Sequence, residues 1–272
     1  MSTAASLDAA AYLRRIGVHP QVGAPSLELL AHLQLAHLTT VPFENLHVVH
    51  RRRPRTGLDW SVPKIVDQRR GGWCFELNGA FGALLGALGF RARHVACRVW
   101  EGNPGNPVPG DWGPPFDHLA VVVALDGNDW LVDVGFGDCC TQPLPLAEGS
   151  YDAIPRRARL AAQGTSWVLH ELMPGESSGA SPTWTPQLLI DPMARALHEF
   201  DGRCEYLQTE PTSTWHQKPF ATRALDGSGS RVTLRLGVLR RRDGTGPWVD
   251  KCVEEGAPWD ALLAEWFGLS AP

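Results

Sequence analysis

Apolar positions in the first part of the chain recur at helical spacing. Leu7, Tyr12, Leu13 and Ile16 form one stripe, and Leu27, Leu29, Leu30 and Leu33 form a second behind Pro25 and Ser26. "SVPKIVDQR" at 61–69 reads as the start of another helix. Leu77, Phe81, Leu84, Leu85 and Leu88 make the clearest stripe, which Gly89 closes. Beyond residue 90 the period shortens to that of strands. "RARHVACRVW" is one, and "DHLAVVVAL" and "WLVDVGF" flank the turn "DGND" as a hairpin. Between these lies a Gly/Pro-crowded loop, 101–116, and a second flexible break is expected at 174–182. The last part combines a strand and turn, "RVTLRLGVLRRRDG", with a capped helix, "APWDALLAEWFGL".

Helices followed by strands, then a mixed segment, without βαβ alternation, predict an α+β fold rather than a doubly wound one. With 272 residues, two or three packed units are expected. The changes of period divide the chain into residues 1–90, 91–200 and 201–272.

Composition narrows the function. The chain is 43% hydrophobic and 20% charged, with a net charge of -4. That balance favours neither a nucleic acid nor an acidic membrane surface as partner. No segment has the roughly 20 apolar residues of a membrane span. Asp8 interrupts the apolar start, so the N-terminus reads as an amphipathic helix rather than a signal peptide, and a cytoplasmic location is expected. The runs at Arg51–Arg53 and Arg240–Arg242 read as solvated surface. Six cysteines show no CxxC pairing, His47 and His50 have no third ligand, and the adjacent Cys139 and Cys140 are poorly placed to chelate one ion. No metal is expected. There is no GxxxxGK, and "GFG" at 135–137 lacks the rest of a dinucleotide fingerprint.

Candidate chemistry centres on "RRGGWCFELN". Free cysteine is commonly a buried packing residue, which is the default for Cys97, Cys204 and Cys252. Cys74 differs, because Gly71 and Gly72 allow a sharp turn and the helical stripe starts directly after it. A thiol in the first turn of a helix meets unpaired N–H groups and the positive end of the macrodipole, both of which favour a thiolate. Taken alone, this leaves packing and nucleophilic chemistry both open. A thiolate in acyl transfer needs an imidazole held by a third group. Among ten histidines, His118 opens an apolar strand behind a Pro-rich loop, and Asp133 sits between Val132 and Val134 where an unpaired carboxylate is costly. With "DGND" as the turn, 118 falls opposite 137 and 133 opposite 122. The two side chains then share a face but lie on the order of 13 Å apart.

Together, "RGGWCFELN", "FDHLAVVV" and "LVDVGFG", in that order, resemble the arylamine N-acetyltransferase family, as does "VPFENLHV" at 41–48 and, more weakly, "PTSTWHQKPFATR" at 211–223. The resemblance implies an N-terminal helical bundle, a central β-barrel-like domain and a C-terminal α/β lid around a cysteine-protease-like core. It also implies a Cys74–His118–Asp133 triad and a ping-pong transfer from acetyl-CoA, as cosubstrate, to an arylamine or arylhydrazine. No tightly bound cofactor is implied. By the same analogy Phe43, Phe136 and Trp73 line the acceptor site, and Gly135 and Gly137 let coenzyme A approach the backbone. Association into a homo-oligomer stays open. His47, Trp73, Trp215 and His216 depart from the family's usual residues. An amide synthase, a papain- or transglutaminase-like hydrolase and a non-enzymatic binding domain share parts of the pattern.

Overall fold

The computed structural model describes residues 7–102, 111–175 and 181–271, so parts of both expected loops, 103–110 and 176–180, lie outside the described residues. The chain opens with α1 (Ala9–Arg15), capped by Asp8, and α2 (Leu27–Thr40), capped by Ser26. A two-residue strand β1 (Phe43–Glu44) and the short α3 (Leu46–Val49) follow. Helix α4 spans Leu58–Val66, so it starts and ends earlier than expected and carries Pro63 inside it rather than at its start. Its first turn forms on the Gly57 carbonyl, which accepts from the amides of Trp60 and Ser61. Helix α5 (Cys74–Ala87) is buried on nearly every side, as suits a central helix that is apolar all round. Gly89 follows it with φ +88°, a left-handed conformation that glycine adopts without strain.

Eight antiparallel strands follow: β2 (Arg91–Val99), β3 (His118–Leu125), β4 (Asn128–Val132), β5 (Leu144–Pro145), β6 (Gly149–Tyr151), β7 (Ala158–Gln163), β8 (Ser166–Met173) and β9 (Thr183–Arg195). They form one sheet in the order β5-β4-β3-β2-β9-β8-β7-β6. Only residues 146–148 link its two edge strands, and the Thr141 amide donates to the Ile154 carbonyl at 2.8 Å beside them. The sheet is therefore nearly closed and barrel-like. Strand β3 explains its uninterrupted apolar run by having two dry faces. Ala120 and Val122 point into the barrel core, while Val121 and Val123 join the core built on α1, α2 and α5.

A 3-10 turn (Leu197–Phe200) and α6 (Asp201–Thr209) lead to β10 (Phe220–Ala224), β11 (Arg231–Arg235), β12 (Val238–Arg242), β13 (Trp248–Cys252) and α7 (Ala257–Phe267). These four strands make a second sheet whose far edge is β1, paired with β10. The mixture of helices with a barrel-like sheet agrees with the α+β expectation.

Asp138, just beyond the Asp133 segment, clasps the two sheets. Its carboxylate accepts from Arg242 at 2.7 Å on both oxygens and from Arg156 at 2.9 Å, and Arg231 lies 3.2 Å away. Arg242 is only 4% exposed, so the end of the Arg240–Arg242 run is a buried tie and not solvated surface. Burial alone would raise the Asp138 pKa, but the Arg242 hydrogen bonds and the nearby guanidinium charges bring it down to about 2. Because its folded pKa is depressed, its contribution to stability is full above the unfolded carboxylate value and is lost as pH falls through about 2. Asp138→Asn is expected to cost about 3 kcal/mol in urea unfolding near neutral pH, because three guanidiniums lose their carboxylate. The gap from wild type is expected to narrow as pH is lowered from about 4 towards 2. A gap that does not change with pH would contradict this reading of the clasp.

Candidate active site

Cys74 is the first residue of α5, preceded by Trp73 in extended conformation (φ -99°, ψ -178°). The two glycines before them are needed for close packing. A side chain at Gly71 would run into the Pro42 carbonyl oxygen, and one at Gly72 would meet the Glu76 carboxylate. The space they provide is thus taken up by β1 and the start of α5. Cys74 is 5% exposed and lies in a core with Trp73, Phe75, Leu119 and Phe200.

His118 begins β3 and Asp133 follows the last residue of β4. The hairpin closes on a two-residue turn, Asp126-Gly127, with φ +49° and +79°, rather than on four residues. Leu125 therefore pairs with Asn128 and Val121 with Val132, which moves the register by two from the expected pairing. The ladder also stops at Val132, and Asp133 turns back towards the start of β3. His118 Nε2 and Asp133 Oδ2 end 2.6 Å apart, both residues buried. The gap of roughly 13 Å expected from a simple ladder is removed by the tighter turn and the early strand end.

The other Asp133 oxygen, Oδ1, accepts from Asn78 Nδ2 and from the Gly135 amide, both at 2.8 Å. Three donors thus converge on one buried carboxylate. Asn78 Nδ2 also donates to the Leu119 carbonyl at 2.6 Å, and its Oδ1 accepts from the Val134 amide at 2.9 Å. Cys74 lies near enough to the His118 ring to act on its charge, and with Nε2 committed to Asp133, Nδ1 is the ring nitrogen left for sulfur. Burial would lower the His118 pKa, but the charge and hydrogen bond of Asp133, followed by the influence of the neighbouring Cys74, raise it to about 10. Near neutral pH the imidazole therefore carries a proton, and the arrangement can hold an imidazolium beside sulfur.

The remaining expected residues fall into three groups. Phe136 covers the site, its ring edge-on to the His118 imidazole at 5.0 Å, and it also lines a cleft of about 950 Å³ with Arg156, Met173, Arg242 and Trp248. Phe43 packs against Phe220 at 5.3 Å and Trp215 at 6.0 Å, and Trp73 stands behind Trp215 at 5.8 Å with no exposed surface. The glycines have separate causes. A Cβ on Gly135 would lie 2.8 Å from both the Cys74 Cα and Asn78 Nδ2, so its lack of a side chain lets the Asp133 segment touch the Cys74 helix. The room expected there for coenzyme A is filled by that contact. Gly137 has φ +80° and a more open neighbourhood, with Phe43 nearest at 3.6 Å.

Asn78 was not singled out in the sequence, although it stands four residues after Cys74 and so on the same helix face. The ligand atoms of Cys139, Cys140 and Glu171 lie within 4.8 Å of one another, but Arg156 Nε already donates to Glu171 at 2.7 Å.

Known proteins share both sequence and fold with this chain. The N-acetyltransferase family profile matches residues 26–271. An arylamine N-acetyltransferase from Mycobacterium bovis is 39% identical over 250 residues, covering 88% of this chain and 82% of that protein. The arylamine N-acetyltransferase / N-hydroxyarylamine O-acetyltransferase of Salmonella typhimurium is 37% identical over 161 residues, a match covering 58% of this chain and only 55% of that protein. The structure of the Mycobacterium marinum arylamine N-acetyltransferase in complex with CoA superposes with a TM-score of 0.82 at 29% identity, covering 96% of this chain and 92% of that one. On these grounds, joined to the motifs and the fold, the chain belongs to the arylamine N-acetyltransferase family.

Proposed function

We propose that this chain moves an acetyl group from acetyl-CoA to the nitrogen of an arylamine or arylhydrazine, carrying it on Cys74. The observation that carries the reading is the buried row of Cys74, His118 and Asp133 at the start of a helix. In the first half-reaction the Cys74 thiolate attacks the thioester carbonyl carbon. The C–S bond to coenzyme A breaks, and the departing thiolate takes the His118 proton. Acetylation removes the charge on Cys74, and with it one of the influences that hold the His118 pKa up. The imidazole, still oriented by Asp133, becomes a better base. In the second half-reaction the amine nitrogen attacks the acetyl-enzyme, His118 takes its proton, and the Cys74 thiolate leaves.

Phe43 and Phe136 are the proposed walls of the acceptor site, with Trp73 acting through Trp215 rather than by direct contact. The cleft beside Phe136 and Gly137 has the size for a long donor such as acetyl-CoA. In this reading residues 1–90 supply the nucleophile, 91–200 supply the base and its carboxylate, and 201–272 form the lid. Among the described residues no helix is long and apolar enough to cross a membrane. All six cysteines are free thiols, which suits a reducing compartment and supports a cytoplasmic location.

Cys74→Ser is expected to lower arylamine acetylation by at least about 10³-fold in steady-state assays, and near-wild-type turnover would remove the mechanism. With a proton on His118 up to about pH 10, the rate of enzyme acetylation is expected to stay level between roughly pH 7 and 9 and to fall above that. A rate that climbs around the free-thiol value of about 8.5 would contradict the ion pair. Asn78→Ala leaves Asp133 and the Leu119 carbonyl each short of a donor. It is expected to lower kcat by roughly 10- to 100-fold with little change in KM, and an unchanged kcat would count against Asn78 as the tie between Asp133 and the Cys74 helix.

A further inference from the structure

Behind the first turn of α5 lies an ionic group to which the acetyl-transfer steps assign no part. Lys64, on α4, donates to both Glu76 oxygens at 2.9 Å and lies 3.4 Å from Glu44. The three side chains are 3% exposed or less. Glu76 receives two more donors, Trp60 Nε1 at 2.6 Å and the Trp73 amide at 3.2 Å. Four hydrogen bonds from three donor groups hold it as a carboxylate, against the upward push on its pKa from burial and from the Glu44 charge. Glu44 accepts from the Leu46 amide at 2.6 Å, while its own amide donates to the Gly72 carbonyl. Lys64 thus ties together α4, β1 and the Gly72-Trp73-Cys74 peptide.

The position of Glu76 in the helix gives this tie a chemical consequence. Cys74 is the first helical residue and Glu76 the third, so both anions draw on the same positive helix end. A bare carboxylate at the third position would oppose a thiolate at the first. A carboxylate neutralised by an ammonium leaves the free N–H groups of the turn to the sulfur. We propose that Lys64 is a positioning residue for acyl transfer: by pairing with Glu76 it fixes the Trp73 amide and removes the charge that would oppose a Cys74 thiolate beside His118. The proposal rests on the reading of Cys74 as the acyl carrier. The groups facing Glu76 are Lys64 from α4, Glu44 from β1 and Cys204 from α6, with Cys74 on its own helix and His47 beyond Glu44. His47 is held down to about 4 by burial and by the Lys64 charge, so it is neutral in an assay near neutral pH.

The test is the pH profile of Cys74 alkylation by iodoacetamide, read by peptide mass spectrometry, in wild type, Lys64→Met, Lys64→Arg, Glu76→Gln and the double variant Lys64→Met/Glu76→Gln. Lys64→Met is expected to slow alkylation near neutral pH by about tenfold and to move the profile to higher pH. Lys64→Arg is expected to keep the wild-type profile, and the double variant to return towards it, because losing one cation and one anion leaves the net charge of the group, with Glu44, as in the wild type. Glu76→Gln, which leaves the ammonium paired with Glu44 alone and so removes one negative charge beneath the helix start, is expected to move the profile to lower pH. Should Lys64→Met not fold, Glu76→Gln and the double variant carry the test. A profile that stays at its wild-type position in the folded single variants, whatever their thermal stability, overturns the proposal. Wild-type protein whose Cys74 alkylates but never takes acetyl from acetyl-CoA would refute the acetyl-transfer reading while leaving the alkylation test of Lys64 standing.

Discussion

The side-chain amide of Asn78 joins three pieces of chain at one point. It sits one turn along α5 from Cys74, donates to the Leu119 carbonyl beside His118 and to the Asp133 carboxylate, and accepts from the Val134 amide. The helix that carries sulfur is thereby locked to the strand that carries imidazole and to the bend that carries the carboxylate. Gly135 completes the lock by having no side chain where the bend meets the Cys74 backbone. A buried amide with its donors and acceptor engaged resists displacement, since any shift strands polar groups away from water. The geometry of the site follows from this joint more than from any single strand pairing.

Around the joint, buried charges do the holding where apolar packing could not fix direction. Asp138 draws Arg156 from the barrel side and Arg231 and Arg242 from the second sheet onto one carboxylate. Lys64, Glu44 and Glu76 do the same for the helices and β1. Such groups are costly to bury and strongly destabilising to break, so they define one arrangement rather than adding much net stability. Both clusters border the segments that reach the candidate site, one just past Asp133 and the other just under Cys74.

Much of this could be read from the sequence, for identifiable reasons. The α5 stripe, the Ser26 cap and the two-sided apolar run of β3 are local patterns, and local physics sets them. Cys74, His118 and Asp133 each stood out as a residue type at odds with its surroundings, and the structure brings all three together. The hairpin register was missed because "DGND" contains a tighter turn, in which Asp126 takes a positive φ, and because the strand ends early. Gly135 was read as room for coenzyme A, and the Gly71-Gly72 pair as a sharp turn. Close packing accounts for them instead, against the Cys74 helix, the Pro42 carbonyl and the Glu76 carboxylate. Lys64 left a trace as a lone charge in the apolar "VPKIV", but its partners at 44 and 76 meet it only in three dimensions.

The central claim is that Cys74 holds the acetyl group between donor and acceptor. Intact-protein mass spectrometry after mixing with acetyl-CoA, with no amine present, tests it most directly. The account predicts a mass gain of one acetyl group, mapped to the peptide containing Cys74 and discharged when an arylamine is added. An unmodified protein whose Cys74 still reacts with an alkylating agent, or an acetyl group found on another residue, would contradict it.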